Sequence, residues 1–329
     1  MNQINSLAKP RYTFLDYTKC IGIFLICVGH FLESGSFLKV AIYSFHVPLF
    51  FVVSGFLCKP CKMSALLKKD FFRIILPYIS FYIVSYVYGW VLPDAHPAFW
   101  ADFFMVDGTT VWNEPLWFLP VMFICHILFV CFLNVIAQKW HIVSVAILTV
   151  VCGVGAVITH GIEDFPKILG LDKVIIMLTY LCVGFLLKAI KNKNISLVST
   201  LIFVVFFLVS GFISVGDNIS VLYRDYNNIA VYIPLAVVGT VSFVGMLTSA
   251  KPMKMVTFIS QNTIFYMGTH YFLLRFWEML FDHDFISDLV GGSISFILIT
   301  LVCLLHSKLC KKFKLKYLES FGKLFGLYP

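Results

Sequence analysis

Ten apolar runs of roughly twenty residues divide this chain, and nearly all the polar stretches between them are short. A helix of that length, rising about 1.5 Å per residue, crosses a hydrocarbon layer of about 30 Å. The runs fall at about 13–33, 40–58, 71–92, 115–136, 141–159, 173–190, 197–214, 229–248, 256–277 and 287–307. Of the 329 residues, 60% are apolar and 13% charged, against about 25% charged in an ordinary soluble domain. One core cannot hide so much apolar surface, so lipid must solvate much of it. The sequence predicts an all-α, polytopic membrane protein of about ten transmembrane helices. It is read as a single membrane domain over 1–329 with a basic tail from about 308.

Charge in the connections sets the expected orientation. One set holds Lys59, Lys62, Lys68, Lys69 and Arg73, then Lys139, then Lys188, Lys191 and Lys193, then Lys251 and Lys254, and finally the tail with Lys308, Lys311, Lys312, Lys314, Lys316 and Lys323. The opposite set has only Lys39, Lys167, Lys173 and Arg224, among Asp94, Asp102, Asp107, Glu114, Glu163, Asp164, Asp217, Asp225, Asp282 and Asp284. The positive-inside rule makes the first set cytoplasmic, and Lys9 and Arg11 put the N-terminus there too. An even number of spans then places both termini inside. The net charge of +8 reads as this topology signal plus attraction to anionic lipid. Nucleic-acid binding is not expected, because the basic residues form short clusters at helix ends without a reading domain.

The polar first ten residues and the Asp16, Lys19 and His30 inside the first apolar run do not resemble a cleavable leader. No repeat or pair of matching broken helices marks an inverted-repeat transporter. The ten cysteines lie mostly within apolar runs and read as small buried residues. The single CxxC, Cys58 to Cys61, lacks the second pair a zinc site needs.

Ionisable groups inside a bilayer are costly unless they face a partner or a cavity, so each is a candidate for function. Lys19 and His30 are eleven residues apart, three helical turns plus about 20°, and so share one face about 16 Å apart along the axis. Asp16 falls within about 60° of that face. His46, in the second run, and His270, in the ninth, are expected at a depth similar to His30. Neutral imidazoles suit general-base work. No carboxylate or second histidine at ligand spacing accompanies them, so a metal is not expected. Each has a plain alternative: a snorkelling Lys19, a boundary Asp16, or hydrogen-bonded structural histidines. The basic cluster around Arg73 reads either as a topology anchor or as a landing site for a polyanion. There is no GxxxxGK[ST] loop, which argues against ATP hydrolysis.

In this order the residues resemble membrane acyltransferase family 3. Lys19 followed after ten residues by His30 is similar to that family's first-helix element. The stretch Ser44 to Phe56 (SFHVPLFFVVSGF) resembles its second-helix signature. Arg73-Ile-Ile-Leu-Pro77-Tyr78 looks like its third-helix start, Pro115-Leu-Trp117-Phe118 like its fourth, and Ser260-Gln-Asn262-Thr263 with His270 like its late segment. The branch that acetylates sugars of cell-surface polysaccharides is the most similar. The resemblance implies a cytoplasmic acetyl-CoA or other acyl-CoA co-substrate with no permanently bound cofactor. It implies a sugar or polysaccharide acceptor, and a multi-pass place in a bacterial inner membrane. It makes His30 the catalytic histidine and Lys19 its basic partner. Arg73 matches one arginine of a pair whose other position is Phe71 here, leaving Lys68 or Lys69 as substitutes on the CoA phosphates. The hydrolase-like domain that some members carry has no counterpart in these residues, so transfer is expected to finish within the membrane domain.

The resulting expectation has His30 as general base, with Asp16 orienting Lys19. His46, Trp117, Asn262 and His270 are placed on substrate, with His270 or Asn262 polarising the thioester carbonyl. Direct transfer and a covalent acyl-histidine both stay open, as does a homodimer. Trp100, Trp112 and Trp117 fit a carbohydrate platform or an interfacial aromatic belt equally well. The competing function is a proton-coupled transporter of a lipid-linked or small sugar, since buried His, Asp and Lys also suit proton relays.

Overall fold

The computed structural model describes residues 11–90, 103–104, 112–162, 165–190, 195–281 and 284–328. Several expectations fall outside these residues: the connection bearing Pro93, Asp94, Pro97, Trp100, Asp102 and Asp107, and also Lys9, Glu163, Asp164, Lys191, Lys193 and Asp282. The chain is 81% helical, with no strand among the described residues.

Among the described residues, eight helical segments are long and apolar enough to cross a membrane. The first is α1 (Thr13–Phe31). The second, Phe37–Leu57, is broken into α2 (Phe37–Tyr43) and α3 (His46–Leu57). Pro48 sits in the first turn of α3, where its missing N–H would have had no partner anyway, so the bend falls just before it, at Phe45. The third segment, Met63–Gly89, comprises α4 (Met63–Asp70), a π turn over Phe71–Ile75 and α5 (Leu76–Gly89). Pro77 has no N–H for the Arg73 carbonyl and crowds it, so Leu76 N–H bonds back to the Phe71 carbonyl in a wider turn. Next come α6 (Phe118–Val135), entered through a tight turn at Glu114–Trp117, and α7 (His141–His160). The remaining three contain α9 (Ser196–Ile213), α10 (Ile229–Met246) and α13 (Phe285–Phe313).

The two other expected spans take different forms. Residues 173–190 supply α8 (Leu171–Leu186), which has 16 residues. At about 24 Å it is shorter than the lipid layer, and α3, α6 and α7 pack around it. Almost every side chain along α8 is buried, which explains its unbroken apolar sequence. Residues 256–277 divide into α11 (Lys254–Gln261) and α12 (Thr263–Glu278), parted at Asn262.

The inner elements are α1, α3 and α8. In the most apolar stretches of the α1 and Phe37–Leu57 segments 61% and 67% of residues are buried, against 17% in that of Gln138–His160 and 22% in Ser196–Ile213. Lipid therefore meets mainly the outer helices. α3 and α8 approach at a glycine pair. A Cβ on Gly55 would collide with the Leu181 carbonyl oxygen, and one on Gly184 with the Val52 carbonyl oxygen. α14 (Lys316–Leu324) lies back against the π turn and α5. On it Lys323 donates to Glu319 at 2.6 Å, and that bond holds the Glu319 carboxyl below its ordinary range.

Candidate functional site

The break between α2 and α3 builds the site. It turns Tyr43, the last residue of α2, back toward His46, the first of α3, with ring centroids 4.5 Å apart. The Tyr43 hydroxyl reaches across to α1 and lies 3.0 Å from His30 Nδ1. His270 and Tyr271, adjacent on α12, bring their ring centroids to 5.0 and 5.1 Å from that of His30. His30 thus meets His270 on one side and Tyr43 on the other, and His46 packs on that same tyrosine, which the sequence does not mark out.

Proton positions follow from the partners. His46 Nδ1 lies 3.0 Å from the Ile42 carbonyl and His270 Nδ1 lies 3.0 Å from the Tyr266 carbonyl. A carbonyl only accepts, so both Nδ1 atoms carry protons, and each neutral ring presents a lone pair at Nε2. His270 Nε2 is buried with no hydrogen-bond partner, which makes it an acceptor awaiting a donor.

A cavity of about 270 Å³ opens beside this cluster, lined by His30, Tyr43, His46, Glu114, Trp117 and Tyr271 among others. It runs along α1 from Ile23 to His30, about 10 Å of helix, and on to Ser34 in the turn beyond. Its size is near the lower end of small-molecule sites, about 300–1,000 Å³. Glu114, which sequence reasoning placed only among the loop acids, projects into it. Its carboxylate accepts from the Tyr223 hydroxyl at 2.7 Å and from the Tyr271 hydroxyl at 2.9 Å. The connection 214–228, pinned where Arg224 donates to the Thr159 carbonyl at 2.6 Å, contributes Asn218, Ser220 and Tyr223 to the rim. Lys39 donates to the Leu32 carbonyl at 2.7 Å and sits 5.5 Å over the Tyr43 ring. The available signals were neighbourhood alone: Tyr43 three residues before His46, Tyr271 beside His270, Glu114 just before the Pro115 element.

The other predicted residues, Trp117 apart, gather at the far end of α1. Asp16 lies fourteen residues from His30, about 21 Å along the axis. Arg11 grips its carboxylate at 2.6 and 3.1 Å, Ser260 donates to it at 2.6 Å, and Lys19 lies 4.0 Å away. Lys19 itself donates to the Ser260 carbonyl at 3.1 Å. These bonds tie α1 to α11. Asn262 is fully buried, donating to the Phe258 carbonyl at 2.9 Å and accepting from the Tyr328 backbone N–H at 2.7 Å. It holds the chain break and the C-terminal segment, and it does not line the cavity. Asn262 spends one of its two amide N–H groups on Phe258, and a neutral His270 with its Nδ1–H on a carbonyl offers an acceptor at Nε2. Lys68, Lys69 and Arg73 are exposed at this end, Lys69 pairing with Asp70 at 3.2 Å. Trp117 is buried in the cavity wall. Among the described residues no three His, Cys, Asp or Glu side chains converge as a metal site.

A family model described as an acyltransferase domain matches residues 12–308. No curated protein and no solved structure shows significant similarity to the chain.

Proposed function

The chain belongs to membrane acyltransferase family 3, and from that premise we propose that it moves an acetyl group from cytoplasmic acetyl-CoA to a hydroxyl of a sugar held in the His30 cavity. The setting is the inner membrane of a bacterium, and the acceptor is a unit of a cell-surface polysaccharide. The observation that carries this reading is the contact between His30 Nδ1 and the Tyr43 hydroxyl at 3.0 Å beside the cavity. With Nδ1–H donating to the Tyr43 oxygen, His30 Nε2 keeps its lone pair and can act as general base.

The chemistry then balances without a cofactor. His30 Nε2 takes the proton of the acceptor hydroxyl. The oxygen attacks the thioester carbonyl carbon, the C–S bond breaks, and the departing thiolate takes the proton back from the imidazolium. Lys39 spends one of three N–H groups on Leu32, which leaves donors for the developing oxyanion. Trp117 offers a flat face to a sugar ring, while Glu114 and the Nε2 atom of His46 accept from its hydroxyls. On the donor side, Arg73, Lys68 and Lys69 suit the CoA phosphates. The cavity ends at Ile23, one turn beyond Lys19, so the pantetheine arm must part the side chains between them.

Purified protein incubated with radiolabelled acetyl-CoA and bacterial surface glycans tests the proposal. Label should pass to glycan and fall by about 10²–10⁴-fold in His30→Ala. Transfer that survives this substitution removes His30 from the mechanism. No transfer by the wild type to any glycan rejects the sugar acceptor.

A further inference from the structure

A second group of polar side chains lies where α3, α4 and α6 meet, away from the His30 cavity. Many hydroxyls among the described residues donate to the carbonyl one turn back: Ser44 to Val40 at 2.8 Å, Ser80 to Leu76 at 2.9 Å, Ser293 to Leu289 at 2.8 Å. Ser54 on α3 does not. Its hydroxyl bonds instead to Nε2 of His126 on α6. The other ring nitrogen, Nδ1, lies 2.7 Å from Asp70 Oδ2 at the end of α4. The Asp70 side chain is 2% exposed, and Lys69 sits 3.2 Å from its second oxygen.

Paired with Lys69, Asp70 is a carboxylate and only accepts, so Nδ1 carries a proton. With the imidazole neutral, Nε2 is a lone pair and Ser54 donates to it. This is the polarity in which an acid orients a base and the base activates a hydroxyl. The acid end is sealed, while Ser54 and His126 are partly exposed, so the relay opens at its nucleophile. Arg73, one turn beyond Asp70, is exposed with no ion-pair partner among the described residues and can take an anionic group of an incoming molecule.

We propose that Ser54, His126 and Asp70 form a second nucleophilic centre that cleaves acyl thioesters. Ser54 Oγ attacks the thioester carbonyl carbon as His126 Nε2 takes the hydroxyl proton. The C–S bond breaks and the thiolate leaves with that proton, giving a free thiol and an acyl-Ser54 ester. Water, deprotonated by the same Nε2, then attacks the ester. The carboxylic acid departs and Ser54 recovers its proton. Asp70 is a positioning residue for His126. Ser54 is eight residues along α3 from His46, about 12 Å. A short acyl group does not span that distance, so this centre works independently of the His30 cavity. It rests on the proposed function only in sharing the acyl-CoA donor.

Full-length protein in lipid nanodiscs, given acetyl-CoA without acceptor, is assayed for thiol release. In parallel it is treated with a fluorophosphonate and mapped by peptide mass spectrometry. Thiol release is expected in wild type and equally in His30→Ala, with a loss of about a hundredfold in Ser54→Ala and His126→Gln. The fluorophosphonate should modify Ser54 in wild type and in His30→Ala. Asp70→Asn lets an amide N–H face Nδ1 and drives the ring proton to Nε2, so labelling should drop at least about tenfold while the melting temperature holds. Thiol release unchanged in Ser54→Ala, with Ser54 unmodified in the wild type, overturns the proposal, and the wild-type labelling needs no variant to fold. Thiol release lost in His30→Ala, with Ser54 unmodified, also overturns it. Modified Ser54 in a wild type that transfers nothing to glycans supports this centre and sinks the transfer reading.

Discussion

At the scale of residues, the site depends on how each ring is held. Tyr43 is the hub, touching His30 through its hydroxyl and His46 through its ring, with Lys39 above it. Tyr43→Phe keeps the ring and removes one hydrogen bond of about 1 kcal/mol, so acyl transfer should fall about fivefold with little change in stability. Steady-state rates at saturating donor check this. A fall as deep as that of His30→Ala would give the hydroxyl a part in the chemistry itself. The histidines were legible because an ionisable side chain in an apolar run stands out. Tyr43, Glu114 and Tyr271 were not, because tyrosine is ordinary in such runs and an acid near a helix end usually faces water. The same blindness hid His126 and Asp70, whose meaning lies entirely in what faces them.

At the scale of elements, breaks and close approaches decide more than helix formation does. The interruption at Phe45 and the one at Asn262 aim residues at the cavity and at the opposite end of α1, respectively. Pro48 and Pro77 are readable in the sequence, but whether each bends, starts or widens a helix depends on which carbonyl it faces. The α3–α8 crossing allows no side chain at Gly55 or Gly184. Gly184→Ala should cost about 1–3 kcal/mol by forcing two backbones apart, seen as a lower melting temperature in detergent; an unchanged melting temperature would show the crossing is looser. The start of α8 carries Lys173 and Asp172, each 1% exposed and paired at 2.8 Å. Lys173→Met strands a buried carboxylate and should destabilise by about 3–5 kcal/mol. The double change with Asp172→Asn should recover most of that in the same thermal assay, and a double variant no better than the single would refute the pairing argument.

At the scale of the whole molecule, the chain is a multi-pass membrane acyltransferase whose two clusters lie at opposite ends of α1. The lysine-rich connections share the end with Asp16, and the cavity lies toward the other. If the lysine-rich side is cytoplasmic, Cys61 as the sole cysteine should react with a membrane-impermeant maleimide only after cells are opened; labelling of intact cells would invert the orientation. The sequence by itself determined the membrane as solvent, the helical class and the family, because run length, charge placement and motif order are linear properties of a chain. It also marked His30, His46 and His270 by the cost of burying them. Only the tertiary structure decided that eight segments have the length and apolarity to span while α8 is wrapped in protein. A helix enclosed by helices and a helix enclosed by lipid carry the same apolar sequence. Only the tertiary structure, too, turned Asp16 toward Arg11 and Ser260 and brought Glu114 to Tyr271. Such pairings join residues up to 244 positions apart, and no local pattern encodes which of many polar side chains will meet.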